Sequence, residues 1–219
     1  MSNTEGRRPL KTRDKIIFKN IASWLSQKNI TPNQISVASV LFAFLSSICL
    51  LLLPYSNGSS TLILPIAAAL FIQCRLLCNL FDGMVAVEGG KKTNSGEMFN
   101  DIPDRIADAL IFVSAGYAVG MEYGSELGWC AALLAVMTAY IRTLSVSIGA
   151  PIDFLGPMAK QHRMAVMTIA CLLTPIENFS LQSNYVLFTA LTIIVIGCIF
   201  TIYRRTVATY NYLENNENK

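Results

Sequence analysis

Charge is the scarcest commodity in this 219-residue chain. Only 14% of its residues are Asp, Glu, Lys or Arg, against roughly 25% in ordinary soluble domains. The shortage is uneven: no charge falls in the twenty residues from Ile35 to Pro54, and similar runs recur as far as Val207. With 53% hydrophobic residues and a mean hydropathy of +0.47, soluble globular, disordered and basic nucleic-acid-binding classes are excluded, and the chain needs lipid as its solvent. Histidine is nearly absent. The single His162 supports neither a His-rich metal site nor a Ser-His-Asp triad. No removable leader is expected, because the first thirty residues are polar and basic. Six cysteines are present, all inside apolar runs, which argues for buried thiols rather than a disulfide framework.

What is present is apolar length. Six segments approach the roughly 20 residues that a membrane helix needs: Ile35–Pro54, Leu62–Phe81, Ile106–Gly120, Leu127–Ile148, Met164–Ile176 and Tyr185–Tyr203. The fifth is the shortest and could equally be re-entrant. Basic residues alternate with these spans. Arg7, Arg8, Lys11, Arg13, Lys15, Lys19 and Lys28 precede the first, Lys91, Lys92 and Arg105 follow the second, Lys160 and Arg163 follow the fourth, and Arg204, Arg205 and Lys219 follow the sixth. The connections at 55–61, 121–126 and 177–184 have none. Under the positive-inside rule both termini and the polar segments 82–104 and 150–163 face the cytoplasm.

The expected fold is therefore an all-α integral membrane protein of six transmembrane helices, spanning 34–207. A cytoplasmic segment, 1–33, precedes them, and a polar tail, 208–219, follows. Within the first segment Lys11–Gln27 reads as an amphipathic juxtamembrane helix, with Ile16, Ile17, Ile21, Trp24 and Leu25 at helical spacing and Lys15, Lys19 and Lys28 elsewhere. A plain basic topology signal would account for the charges but not for that periodicity. Thr31-Pro32-Asn33 then supplies a cap and a first-turn proline for the first span.

Ionisable side chains at membrane depth are costly and mark function. Here they gather in one stretch: Arg75, Asn79, Asp82, Glu88, Asn100, Asp101, Asp104, Arg105 and Asp108. On helices, Asn79 with Asp82 and Asn100 with Asp104 share faces, and Asp108 continues the second stripe one turn deeper. Two helices joined by Glu88–Gly96 can bring four oxygen donors together at the cytoplasmic boundary. Oxygen-only ligands suit a hard cation such as Mg²⁺, Mn²⁺ or Ca²⁺ rather than zinc. Helix-end carboxylates paired with arginines, Asp101 with Arg105 for example, are the bland alternative. They leave unexplained the small residues Gly83 and Ala86 beside Asp82, which let a bulky ligand approach the backbone.

Asn79-Leu-Phe-Asp82-Gly83-Met-Val-Ala86-Val87, followed by Gly96, Asn100 and Asp104, resembles the CDP-alcohol phosphotransferase motif D-x2-D-G-x2-A-R-x8-G-x3-D-x3-D. Every spacing fits. The chain keeps Asp82, Gly83, Ala86, Gly96 and Asp104, and departs at Asn79, Asn100 and Val87. Pro32-Asn33, and Gly156 with Lys160, are also similar to that family, and the resemblance covers roughly residues 30 to 205.

The resemblance implies a membrane phosphotransferase of phospholipid biosynthesis. It would move a phosphatidyl or related phospho-alcohol group from a CDP-linked lipid such as CDP-diacylglycerol to an acceptor hydroxyl, releasing CMP. It further implies Mg²⁺ or Mn²⁺ held by Asp82, Asp104, Asn79 and Asn100, with Asp101 or Asp108 compensating only through helix rotation or a bridging water, and Asp104 as general base. Asp82, Gly83, Ala86 and Gly96 would take CDP. Arg142, Lys160 and Arg163 would hold a small polar or phosphorylated acceptor, although each basic residue also fits a topology signal. The family binds two cations, and the two asparagines leave one well-provided site. Lys91, Lys92 or Arg75 could stand in for the arginine missing at Val87. A homodimer in the bacterial inner membrane, with no nucleic-acid partner, is the expected setting.

Two other readings stay open. Asn100-Asp101-Ile-Pro-Asp104-Arg-Ile-Ala-Asp108 also resembles the first motif of UbiA-like membrane prenyltransferases. Those have nine spans and a second aspartate motif, which this chain lacks. A non-catalytic CDP-lipid-binding membrane protein is the second.

Overall fold

The structure is a computed structural model that describes residues 16–91, 93, 95–151, 154–180 and 185–217. Arg7 to Lys15, Lys92, Asp153 and Lys219 lie outside the described residues, and so does the first part of the expected amphipathic helix. That helix, α1, runs Ile16–Gln27. Six longer helices follow: α2 Pro32–Leu52, α3 Ser60–Glu88, α4 Gly96–Val119, α5 Gly124–Ser147, α6 Lys160–Ser180 and α7 Tyr185–Glu217. Each apolar segment read from the sequence falls on one of them. A short 3-10 turn, Leu53–Tyr55, extends α2, and the described residues contain no strand.

Four helices, α2, α3, α5 and α7, are long and apolar enough to cross a membrane by length and composition. The other two have the length, 24 residues in α4 and 21 in α6. They carry the charges instead: Asp101, Asp104, Arg105 and Asp108 on α4, and Lys160, Arg163 and Glu177 on α6. Met164–Ile176 is thus the middle of a longer helix whose ends are polar.

Thr31 opens α2 as its neighbours predict. Its Oγ1 accepts from the Gln34 amide at 3.3 Å, while Gln34 Oε1 accepts from the Thr31 amide at 2.9 Å. This reciprocal box, with Pro32 in the first turn, satisfies two amides that a helix start otherwise leaves open. At the far end of the molecule Glu177 does similar work for α7, accepting from the Tyr185 and Val186 amides at 2.6 and 3.1 Å.

The long helices close into a ring in the order α2, α3, α6, α7, α5, α4, and α4 also touches α7 across it. Alanines such as Ala43, Ala68, Ala107, Ala115, Ala131 and Ala135 are fully buried where the helices meet, so the backbones approach closely. One close crossing is between α4 and α5. A Cβ on Gly116 would lie 2.8 Å from the Gly128 Cα, and one on Gly128 would lie 2.7 Å from the Phe112 carbonyl oxygen. Packing of this kind replaces the hydrophobic drive that lipid cannot supply.

Two expectations change. The helix α1 has apolar groups on two faces: Phe18, Ala22 and Leu25 pack with Leu80, Phe81, Met84 and Val85 of α3, while Ile16, Ile17 and Trp24 stay exposed. Leu25 therefore belongs to the protein-facing side rather than to the outward stripe. All six cysteines are free, but only Cys171 and Cys198 are buried, and Cys130 is exposed. On a helix surrounded by lipid, an apolar run has an outer face as well as an inner one, so hydrophobic neighbours do not imply burial.

Candidate functional site

The polar residues of α3 and α4 converge where those helices meet α2 and α6. Asp104, 3% exposed, is the centre. Its Oδ1 accepts from Asn79 Nδ2 at 2.9 Å and from Arg75 Nη2 at 3.4 Å. Its Oδ2 meets Lys160 Nζ at 2.5 Å, with Arg105 Nη2 more loosely placed at 3.8 Å. Asp82 is equally buried. Ser36 Oγ on α2 donates to Asp82 Oδ2 at 2.7 Å. The Gly83 backbone lies beside the same carboxylate, and Asp104 and Lys160 are near enough to act on it electrostatically. Asp82 Oδ1 is nevertheless buried without a well-formed hydrogen bond.

One turn deeper lies a second layer. Asp108 Oδ1 accepts from Arg75 Nη2 at 2.6 Å and its Oδ2 from Arg163 Nη2 at 2.7 Å. All three side chains are at most 2% exposed. Arg163 also donates through Nη1 to Thr138 Oγ1 and to the Met158 carbonyl. This buried triad ties α3, α4, α5 and α6 together beneath Asp104.

On the other side of Lys160 opens a cavity of about 130 Å³ lined by Arg105, Thr138, Ala139, Arg142, Phe154, Ala159, Lys160, Gln161, Arg163 and Arg205. Five of those ten are cationic and none is acidic. Arg205 reaches in from α7, donating through Nε to the Leu155 carbonyl at 2.9 Å and through Nη1 to the Thr138 carbonyl. The segment before α6 shapes the cavity. Gly156 has φ +104°, and a Cβ there would lie 2.5 Å from Thr201 Cγ2, while the Met158 amide donates to Thr201 Oγ1 at 3.0 Å. Gly156→Ala therefore meets both a left-handed backbone and an occupied volume. It is expected to cost about 2 kcal/mol and to lower thermal stability measurably in detergent. By moving the segment ahead of α6 it also displaces Lys160 at the edge of the cavity.

The structure distributes the expected site residues unequally. Asn79, Asp82 and Asp104 come together, with Gly83 buried and Ala86 half-buried beside them. Asn100 sits exposed in the first turns of α4. Asp101 is paired with Arg142 at 2.9 Å and with Arg105 at 3.8 Å, and Asp108 is held between two arginines, so neither stands free to replace a missing aspartate. Gly96 begins α4 with room about its Cα. Val87 is exposed. Of the candidates to replace its missing arginine, Lys91 donates to the Ser26 carbonyl at 2.7 Å and Arg75 turns toward Asp108. Arg142, Lys160 and Arg163 all line the cavity, but Arg163 is committed to Asp108, Thr138 and Met158. Ser36, and Arg105 as a cavity cation, are additions of the structure.

Among the described residues no three His, Cys, Asp or Glu side chains gather as a metal cluster. The donors present are the carboxylates of Asp82 and Asp104, while Asn79 turns its NH₂ toward Asp104. An orphaned carboxylate oxygen in a buried pocket is a strong demand for a cation or donor, and the oxygen-only set fits one hard divalent ion.

Known proteins resemble this chain in sequence and in fold. The family model for CDP-alcohol phosphatidyltransferase matches residues 29–203, which takes in every residue of the site but Arg205. The inner membrane protein YnbA of Escherichia coli is 25% identical over 173 residues, 79% of this chain and 82% of that protein. A phosphatidylinositol phosphate synthase of Streptomyces avermitilis is 26% identical over 136 residues, 59% of this chain and 55% of the relative. Among solved structures, phosphatidylinositol phosphate synthase (PgsA1) of Mycobacterium tuberculosis with CDP-DAG bound superposes with a TM-score of 0.72 at 17% identity, over 90% of this chain and 94% of that one. The same enzyme in complex with manganese and citrate gives 0.72 over 88% of each chain. The helical ring is thus that fold, and with four-fifths of its length matched by the family model, this membrane protein belongs to the CDP-alcohol phosphatidyltransferase family.

Proposed function

We propose that the chain transfers a phosphatidyl group from a CDP-linked diacyl lipid to the hydroxyl of a phosphorylated alcohol, releasing CMP. The observation that carries the reading is Lys160. Its ammonium holds the Asp104 carboxylate and lines the five-cation cavity at once, so an anionic acceptor seated there brings its hydroxyl beside Asp104. All six long helices cross the bilayer in this reading, with the site on the cytoplasmic side where Lys and Arg collect. The CDP-DAG in one neighbour and the manganese in another support the donor and the metal.

Asp104 takes the proton as the acceptor oxygen bonds to the phosphatidyl phosphorus and the bond from that phosphorus to the CMP oxygen breaks. Asp82 and Asp104 would hold a divalent ion, which supplies charge neutralisation for the pyrophosphate and the departing CMP. Gly83 and Ala86 leave space for the nucleotide. Arg142 and Lys160 orient the acceptor, and Arg163 and Arg205 hold the cavity wall.

The test is CMP release from CDP-diacylglycerol in mixed micelles with Mg²⁺ or Mn²⁺. Glycerol 3-phosphate and inositol phosphate are expected to support turnover, and inositol, serine and glycerol are not. Turnover with the uncharged alcohols alone would refute the phosphorylated acceptor; none with any alcohol would refute the transfer. Arg142→Gln removes one charge-assisted bond to the acceptor and is expected to raise its KM about 10-fold or more, leaving the KM for the lipid donor nearly unchanged.

A further inference from the structure

Asp104 is met from α3 by nitrogen rather than oxygen. Arg75, Asn79 and Asp82 lie along one stripe of that helix, and the first two both aim at Asp104 Oδ1. Because an ionised carboxylate only accepts, the Asn79 group facing it is its NH₂, not its oxygen. Arg75 also reaches the Asp104 carbonyl at 3.4 Å. It is fully buried, and its Nε and Nη1 have no hydrogen-bond partner. A guanidinium has no lone pair for a metal and does not lose its charge.

Phosphoryl-transfer sites that use two metals place them roughly 3.5–4 Å apart. A second ion here would need Asp104 Oδ1 and would lie against a buried, partly unpaired guanidinium, where like charges repel strongly for want of water. Asp108 offers no alternative, since both its oxygens are on arginines.

Taking Asp82 and Asp104 as the metal ligands of the transfer reaction, we propose that Arg75, seconded by Asn79, is the fixed cation on the α3 side of Asp104, so that the site binds one divalent ion and has no place for a second. Arg75 acts as a positioning residue: being fully buried it cannot leave Oδ1, whereas Lys160, whose side chain is 24% exposed, can swing off Oδ2 and yield that oxygen to the ion.

The experiment counts Mn²⁺ on the full chain in detergent, without substrate, by equilibrium dialysis and electron paramagnetic resonance. The parent protein and Arg75→Lys are expected to bind one Mn²⁺ with the spectrum of an isolated ion, and Asp82→Asn none. Arg75→Gln combined with Asn79→Asp is expected to bind two, magnetically coupled. Should that double variant not fold, Asn79→Asp alone decides, since with Arg75 in place it stays at one. Two ions or none in the parent, two in Asn79→Asp, or one in a folded double variant would overturn the proposal. CMP release is measured in parallel. Two ions with turnover would sink this inference alone; one ion without turnover would sink the transfer reading and leave the count standing.

Discussion

Asp104→Asn is expected to lower CMP release by about 10³-fold, within the range that a positioned general base contributes, while leaving the fold intact. The carboxylate is buried at the centre of the site, and asparagine matches it in volume. Its Oδ1 accepts from Asn79 and Arg75, and an amide oxygen at that position still accepts from both. Its Oδ2 faces Lys160 and the cation cavity. There an NH₂ can neither take the acceptor proton nor neutralise a cation. Thermal unfolding of Asp104→Asn in detergent should stay close to the parent, and its Mn²⁺ affinity should fall along with turnover. If a tenth or more of the activity survives in a folded variant, the proton goes elsewhere and the role assigned to Asp104 is wrong.

Why Asp104 stood out in the sequence, and Ser36 did not, is a matter of distance along the chain. Asn79 with Asp82, and Asn100 with Asp104, are separated by three or four residues, and helical geometry alone puts each pair on one face. The six apolar runs mark six helices for a similar reason, since solvent preference is written residue by residue. Ser36 reaches Asp82 across 46 positions and Arg205 reaches the Leu155 carbonyl across 50. No local period encodes such pairings. They follow from the closed ring of helices, which only the folded chain displays.

Competition between local and distant partners decides the remaining differences. Spacing of four residues made Arg105 the natural partner of Asp101, and the two do approach, at 3.8 Å. Arg142 of α5, 41 positions away, comes closer at 2.9 Å. Arg142 is a basic residue inside an apolar run, which marks it in the sequence, whereas its pairing with Asp101 is a contact between helices. Likewise α1 shows its Lys and Ile pattern plainly, yet which apolar face meets α3 depends on Leu80 and Met84, more than fifty residues on.

The largest expected loss of stability comes from Asp108→Ala. This carboxylate lies between Arg75 and Arg163, and removing it strands two cations that are at most 2% exposed. Breaking one side of a buried ion pair costs about 3–5 kcal/mol, a drop of roughly 10 °C in Tm for a chain of this size. Asp108→Asn keeps the volume and one acceptor, so it should fall between the parent and the alanine variant. Replacing all three members together, as Arg75→Met, Asp108→Leu and Arg163→Met, removes every stranded charge and should recover much of the lost Tm. It should not recover turnover, because Arg75 holds Asp104 Oδ1 and Arg163 holds the Met158 carbonyl just ahead of Lys160. Thermal unfolding in one fixed detergent, beside CMP release, separates the two effects. An Asp108→Ala variant that melts within about 2 °C of the parent, less than one kcal/mol would move it, would mean the triad is hydrated. A triple variant with full turnover would mean that the layer beneath Asp104 only fills space. The expected split, stability returned and activity not, makes the buried charges a device for holding the site in register rather than a source of fold stability.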